Sequence, residues 1–177
     1  MAPTPALLLT VFLTGFLGEL QCNHFSLLNN VQDTLLKFMD YSISTNYGLN
    51  LPTEQLSFLY GLLVVSIWVL GALIGVVSAI RFCDKFGRRD TVFVWTGIFT
   101  LLSSAAFFVA KGVNRVELLS IGRLIDGISF GLYILAGPMY IMESSPDEYR
   151  GSLASAIFVF DALATVMGTI FGLPQLL

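Results

Sequence analysis

The chain has 177 residues, 55% hydrophobic and 12% charged, with a net charge of −3 and a mean hydropathy of +0.80. A soluble domain has roughly a quarter of its residues charged; half that fraction cannot cover a water-facing surface, so the outer face must meet lipid. The nine Lys and Arg residues are outnumbered by twelve acids and form no long basic stripe, which excludes nucleic acid as a partner.

Five apolar segments follow in chain order, at residues 6–28, 56–80, 91–110, 118–142 and 152–173. Each is long enough to cross a hydrocarbon core of about 30 Å as a helix, allowing for tilt. The expected fold class is an all-α polytopic membrane protein with no separate soluble domain. No Lys or Arg precedes the first segment, and its apolar run exceeds the about 7–15 residues of a signal-peptide core, so it reads as a retained span, with a cleaved signal peptide as the alternative. Glu19 stands inside it.

The polar stretch 31–55 suits an extracellular loop and holds no N-x-S/T acceptor. In the second span Gly71 and Gly75, and in the fourth Gly127 and Gly131, form small-xxx-small pairs. Such pairs permit close helix approach, and they are also frequent in membrane helices that make no such contact. Between the second and third spans stand Arg81, Lys85, Arg88 and Arg89, against only Lys37, Lys111 and Arg115 in the flanking connections. Basic residues in short loops stay on the cytoplasmic side. The N-terminus and residues 143–151 are therefore expected inside, and 31–55 outside.

Two features of the later spans are costly in lipid. Arg123 and Asp126 lie three apart in the fourth, a spacing at which they neutralise each other; Arg123, near the outer end, has snorkelling as its alternative. Asp161 lies in the middle of the fifth, where a carboxylate costs about 2.5–3.5 kcal/mol on insertion scales. It must face a cavity or a partner, on nearly the same helix side as Phe158. The chain stops soon after this span, at Leu177, and is expected to be incomplete.

Catalytic chemistry finds little support. Cys22 and Cys83 offer neither a disulfide framework nor metal-ligand spacing, and His24 is the only histidine, so no metal or cofactor is expected. Asp126 and Asp161 sit in L-I-D-G and V-F-D-A, which lack the Y-D and G-x-G-D contexts of intramembrane aspartyl proteases. No enzyme is expected.

Two polar breaks carry the most specific patterns. The first, DKFGRRD at Asp84 to Asp90, resembles the G-x-x-x-D-R/K-x-G-R-R loop of the major facilitator superfamily, with Ile80 in place of the leading glycine. The second, GRLIDG from Gly122 followed by PMYIMESSPDEYRG from Pro138, resembles the sugar-porter pattern G-R-x-x-x-G … P-x-Y-x-x-E-x-x-P-x-x-x-R-G. In the first span LGELQCNHFSLLNN, Leu17 to Asn30, is similar to L-G-S-L-Q-F-G-Y-N-T-G-V-I-N, with Asn23 and Leu27 at the two glycines. The likeness is to the facilitated glucose transporters and covers essentially the whole chain, which would then hold five transmembrane helices of an incomplete major-facilitator N-terminal bundle.

That resemblance implies alternating-access transport of a hexose-type sugar in the plasma membrane. Its partners would be the sugar, the bilayer, and the missing C-terminal half or another transporter chain. Substrate contacts fall on Gln21, Ser26 and Asn30, for which interhelical hydrogen bonding is the alternative. The family's sugar-binding glutamine falls on Phe158, with Asp161 one turn later to bind hydroxyls or carry a proton, unless it pairs with a basic residue of further helices. A gating charge network falls on Asp84, Arg88, Arg89, Glu143 and Arg150, because the planar guanidinium grips carboxylates and stays charged; solvated topogenic charges are the alternative reading. Proton-coupled sugar porters often carry an aspartate at the place of Phe25, which favours facilitated diffusion. The competing function is a truncated, non-transporting membrane protein that binds full-length transporters.

Overall fold

The computed structural model describes residues 5–22 and 31–171, and six helices account for nearly all of them. Helix α1 covers 5–22, α2 Gln32–Tyr47, α3 Thr53–Phe86, α4 Arg88–Val113, α5 Val116–Ser144 and α6 Arg150–Phe171. No strand occurs among the described residues. Helices α3 to α6 are each long and apolar enough to cross a membrane, and the apolar part of α1, Pro5–Leu20, is shorter. Each of the four begins two or more residues before its expected span, because the polar ends that interrupt hydropathy continue the helix beyond the hydrocarbon.

Helix α5 is the centre. Of its apolar window 56% is buried, against 17–22% for α3, α4 and α6. The outer faces of its neighbours stay bare: Val77 is 72%, Leu101 72% and Phe108 80% exposed. Exposed apolar side chains on this scale identify a lipid-facing surface, since water would exclude them.

The glycine pairs found in the sequence meet each other. A Cβ built on Gly71 would lie 3.1 Å from the Gly127 Cα, and one on Gly75 would lie 2.9 Å from the Gly131 Cα. Helices α3 and α5 thus cross backbone to backbone, at a separation only hydrogen side chains permit.

Three helices contain a π-helical turn: Leu13–Leu17 in α1, Gly61–Ser66 in α3 and Thr91–Trp95 in α4. A π turn loosens the intrahelical ladder, and at or beside each one a polar side chain of α5 reaches a backbone carbonyl. Tyr133 Oη donates to the Thr14 carbonyl at 2.9 Å, Arg123 Nε to that of Val64 at 3.2 Å and Ser129 Oγ to that of Thr96 at 2.9 Å.

Arg123 is 1% exposed, which overturns the snorkelling alternative. Its Nη1 donates to Asp126 Oδ2 at 3.1 Å, the Trp68 indole N–H donates to the same oxygen at 3.2 Å, and the guanidinium lies 5.7 Å from the Trp68 ring centroid. The expected mutual neutralisation is therefore a buried network joining α3 to α5.

The polar stretch between the first two spans is also more ordered than its composition announced. Helix α2 buries Met39 and Ile43 against Leu56, Tyr60, Val64, Ala110, Val116 and Leu119. Its polar side points at the α4–α5 turn, where Ser42 Oγ and Asn46 Nδ2 donate to the Asn114 carbonyl at 2.8 and 2.7 Å. The Tyr47 hydroxyl donates to the Glu117 carboxylate, a contact that holds the phenol above its ordinary titration range.

Asn114 caps α4 in the left-handed region, at φ 56°. An L side chain there costs roughly 1–2 kcal/mol unless it is Asn, Asp or Gly. Asn114→Val is expected to lower stability by about 1–2 kcal/mol, with Asn114→Gly staying near wild type, as read by thermal unfolding in detergent micelles. Equal losses in the two variants would contradict a conformational origin. At the other end Gly87, φ 86°, breaks α3 from α4; its N–H donates to the Cys83 carbonyl at 3.0 Å.

Candidate functional site

A cavity of about 550 Å³ opens between α1, α5 and α6. Phe130, Tyr133, Ile134 and Pro138 of α5 form one wall, Ser155, Ile157, Phe158 and Asp161 of α6 another, and Glu19 of α1 enters from the third. The wall chemistry follows from helix periodicity: on α6, residues 154, 155, 157, 158 and 161 recur at the spacing of one face. Most of the lining is aromatic or aliphatic, with few polar groups set into it, as in small-molecule sites generally.

Phe158 and Asp161, paired by spacing in the sequence, both line this space. Gln21 lies in the α1 helix, but its side chain, with Ser26 and Asn30, falls outside the described residues. Sequence reasoning did not place three polar groups of the lining, Glu19, Tyr133 and Ser155. Glu19 carried a signal, an acid inside an apolar run, without any indication of what it faced. Tyr133 and Ser155 gave none, since an aromatic or a serine in a membrane helix is unremarkable by composition.

Tyr133 fixes the geometry. It is 2% exposed, hydrogen-bonded to the Thr14 carbonyl at 2.9 Å with the Gly15 carbonyl at 3.4 Å, and packed so closely on Gly18 that a Cβ there would lie 2.6 Å from the phenol oxygen. The tyrosine therefore seats the π turn of α1 on α5. The next turn brings Glu19 to the cavity, which it lines together with Tyr133 and Asp161.

At the end of the bundle where α3 meets α4 and α5 meets α6, a second and more polar pocket of about 500 Å³ is lined by Cys83, Asp84, Gly87, Arg88, Arg89, Tyr140, Glu143 and Ser144. Arg88 and Glu143 form an ion pair across it, with side chains 34% and 52% exposed. Of the predicted charge set, Asp84, Arg88, Arg89 and Glu143 come together here. Arg150 does not join Glu143: its Nη2 pairs with Asp147 Oδ1 at 2.7 Å, and its Nε donates to the Met142 carbonyl at 2.9 Å. The i,i+3 spacing across the turn decides this, because Asp147 lies at hand while Glu143 is held by Arg88.

The profile of the family described as Sugar (and other) transporter matches residues 10–174. The chain belongs to that family. Sugar-transporter relatives include the human solute carrier family 2 facilitated glucose transporter member 11, 32% identical over 172 residues, covering 97% of this chain and 34% of the relative. Mouse facilitated glucose transporter member 3 is 31% identical, covering 98% of this chain and 35% of itself. Facilitated glucose transporter protein 1 of Caenorhabditis elegans is 35% identical over 113 residues, 64% of this chain. The chain thus spans about a third of the length of the first two of these sugar-transporter relatives. Family membership and the bare apolar helices agree on an integral membrane protein with the architecture of a major-facilitator N-terminal bundle.

Proposed function

We propose that this chain is the N-terminal part of a transporter that carries a hexose-type sugar across the plasma membrane by alternating access. The observation that carries the reading is the cavity itself: about 550 Å³ of space reached by three helices, with an aromatic lining and the polar groups of Glu19, Tyr133, Ser155 and Asp161. Sugars demand groups that donate and accept hydrogen bonds along an otherwise apolar, ring-stacking surface. Asp161 takes the polar contact that Phe158 has given up, and Phe158 offers its ring face. Gln21, Ser26 and Asn30 would extend the polar wall.

The Arg88–Glu143 pair serves as the gate. It joins the α3–α4 corner to the end of α5, and a half-exposed pair can part and reform as that end opens. The same end carries Arg81, Lys85 and Arg89, and α1 begins beside it through the Val11, Ile141 and Ile157 cluster. Positive charge of this kind supports a cytoplasmic location for that end and for the N-terminus.

The test is uptake and counterflow of a panel of labelled hexoses by the full-length protein carrying this chain, reconstituted in vesicles. Passage of at least one hexose is expected. Asp161→Ala should raise the half-saturation concentration about tenfold or more, the loss of one hydrogen bond to a charged group. Passage of no hexose at all would overturn the reading.

A further inference from the structure

A smaller cavity of about 320 Å³ lies between α2, α3, α4 and α5. It shares no residue with the main cavity and sits toward the end of the bundle opposite the Arg88–Glu143 pair, since α4 starts at Arg88 and reaches Lys111 in its last turn. Leu35 and Phe38 of α2, Val64 of α3, Phe107 of α4 and Leu119 of α5 make its walls apolar. Walls of this kind with a few polar groups set into them are the usual form of a small-molecule site.

The polar groups here are two cations, and no Asp or Glu joins them among the described lining residues. Arg123, 1% exposed, stands at the buried depth. A guanidinium has five N–H donors and keeps its charge. Nε is given to the Val64 carbonyl and Nη1 to Asp126 Oδ2, and no acceptor is bonded to Nη2 among the described residues. A charged donor left without an acceptor in so dry a place is costly, so the pocket favours an occupant that brings an oxygen.

Lys111 is exposed and makes no ion pair among the described residues. Because Asp126 balances Arg123, the lysine leaves the pocket one positive charge in excess. The next residues on α4 face lipid: Phe108 and Val109, between the lining residues Phe107 and Ala110, are 80% and 50% exposed. The occupant therefore needs one negative charge, an oxygen for each cation, and an apolar body that arrives from the bilayer.

We propose that this cavity binds a free long-chain fatty acid. Its carboxylate stands between Lys111 and the spare Arg123 donors, one oxygen toward each. The first part of the chain lies against Phe38, Phe107 and Leu119, and the remainder runs into the bilayer. A sugar brings neither the charge nor the chain. A phospholipid would have to carry its polar glycerol and a second chain past the same apolar walls, which favours the free acid. This site stands independently of the sugar reading, and a protein that passed no hexose would still bind the acid.

The test uses the full-length protein carrying this chain, in detergent micelles, labelled with a photoreactive oleate analogue whose diazirine is near the carboxyl end. Labelled peptides are mapped by mass spectrometry. Labelling is expected on α2 and on the stretches of α4 and α5 that line the cavity, and oleate should displace it. Oleate methyl ester and phosphatidylglycerol should each compete about tenfold or more less well, the loss of a charge-assisted hydrogen bond. Lys111→Gln should weaken oleate to a similar extent and Lys111→Arg should restore it. Thr34→Trp, at an exposed position of the lining, should fill the space and remove the labelling. Labelling that spreads over the bare helix faces and resists oleate would show partition into the micelle only and overturn the site, as would full labelling of Thr34→Trp. Equal competition by the ester, or a Lys111→Gln affinity equal to wild type, would overturn recognition of the carboxylate. Equal competition by phosphatidylglycerol would overturn the free acid as the occupant.

Discussion

Replacing Asp126 by alanine is expected to cost about 3–5 kcal/mol of stability, the penalty for leaving one partner of a buried ion pair alone. Arg123 is 1% exposed and accepts no escape by deprotonation, because a guanidinium stays charged under all ordinary conditions. The substitution removes its 3.1 Å partner and also takes the acceptor from the Trp68 indole N–H. Among the described residues the Val64 carbonyl would remain as a hydrogen-bond acceptor for the guanidinium, beside the Trp68 ring. The double variant Arg123→Met with Asp126→Leu removes both charges and refills the volume, and it should recover most of the loss. Thermal unfolding of the full-length protein in detergent micelles reads both. A double variant as unstable as Asp126→Ala would show that the charges are not coupled as described.

Gly131→Ala is the second large effect, expected at about 1–3 kcal/mol, as for overpacking elsewhere. The added methyl would lie 2.8 Å from the Gly75 Cα and 2.7 Å from the Val76 backbone nitrogen. Neither neighbour is a side chain that can rotate away, so α3 and α5 must separate along their whole crossing. Gly97→Ala and Gly112→Ala are the controls: open space surrounds both positions, and helix propensity there favours alanine by up to about 1 kcal/mol. Unfolding under the same conditions should rank Gly131→Ala well below either control. Equal behaviour at all three sites would mean that the close crossing does not contribute to stability.

How much of this was legible in advance depends on the range of each interaction. Helix type and order were legible, because an apolar run of 20 or so residues has one way to satisfy its backbone in lipid. The Arg123–Asp126 contact was legible because both ends lie on one helix, three residues apart. Contacts between helices were not. The sequence showed Gly71, Gly75, Gly127 and Gly131 as two pairs, and only the folded chain sets one pair against the other. Glu19 and Asp161 are separated by most of the chain and by three intervening spans, so nothing in either neighbourhood announces that they meet. Arg150 was expected in one charge network with Asp84, Arg88, Arg89 and Glu143, and its ion pair is with Asp147, three residues away. Helix α2 was hidden by its polar composition, although Met39 and Ile43, four apart, mark the one stripe it buries.

The π turns of α1, α3 and α4 have a mechanical consequence. Each lies at or next to a carbonyl held by α5, through Tyr133, Arg123 and Ser129 respectively. Sliding any of these three helices along α5 would strip a carbonyl of its donor, and in hydrocarbon such a group costs several kcal/mol to leave bare. The four helices are therefore splined together like gears keyed to one shaft. Any slide of α1, α3 or α4 along α5 must first exchange one of these three donors for another.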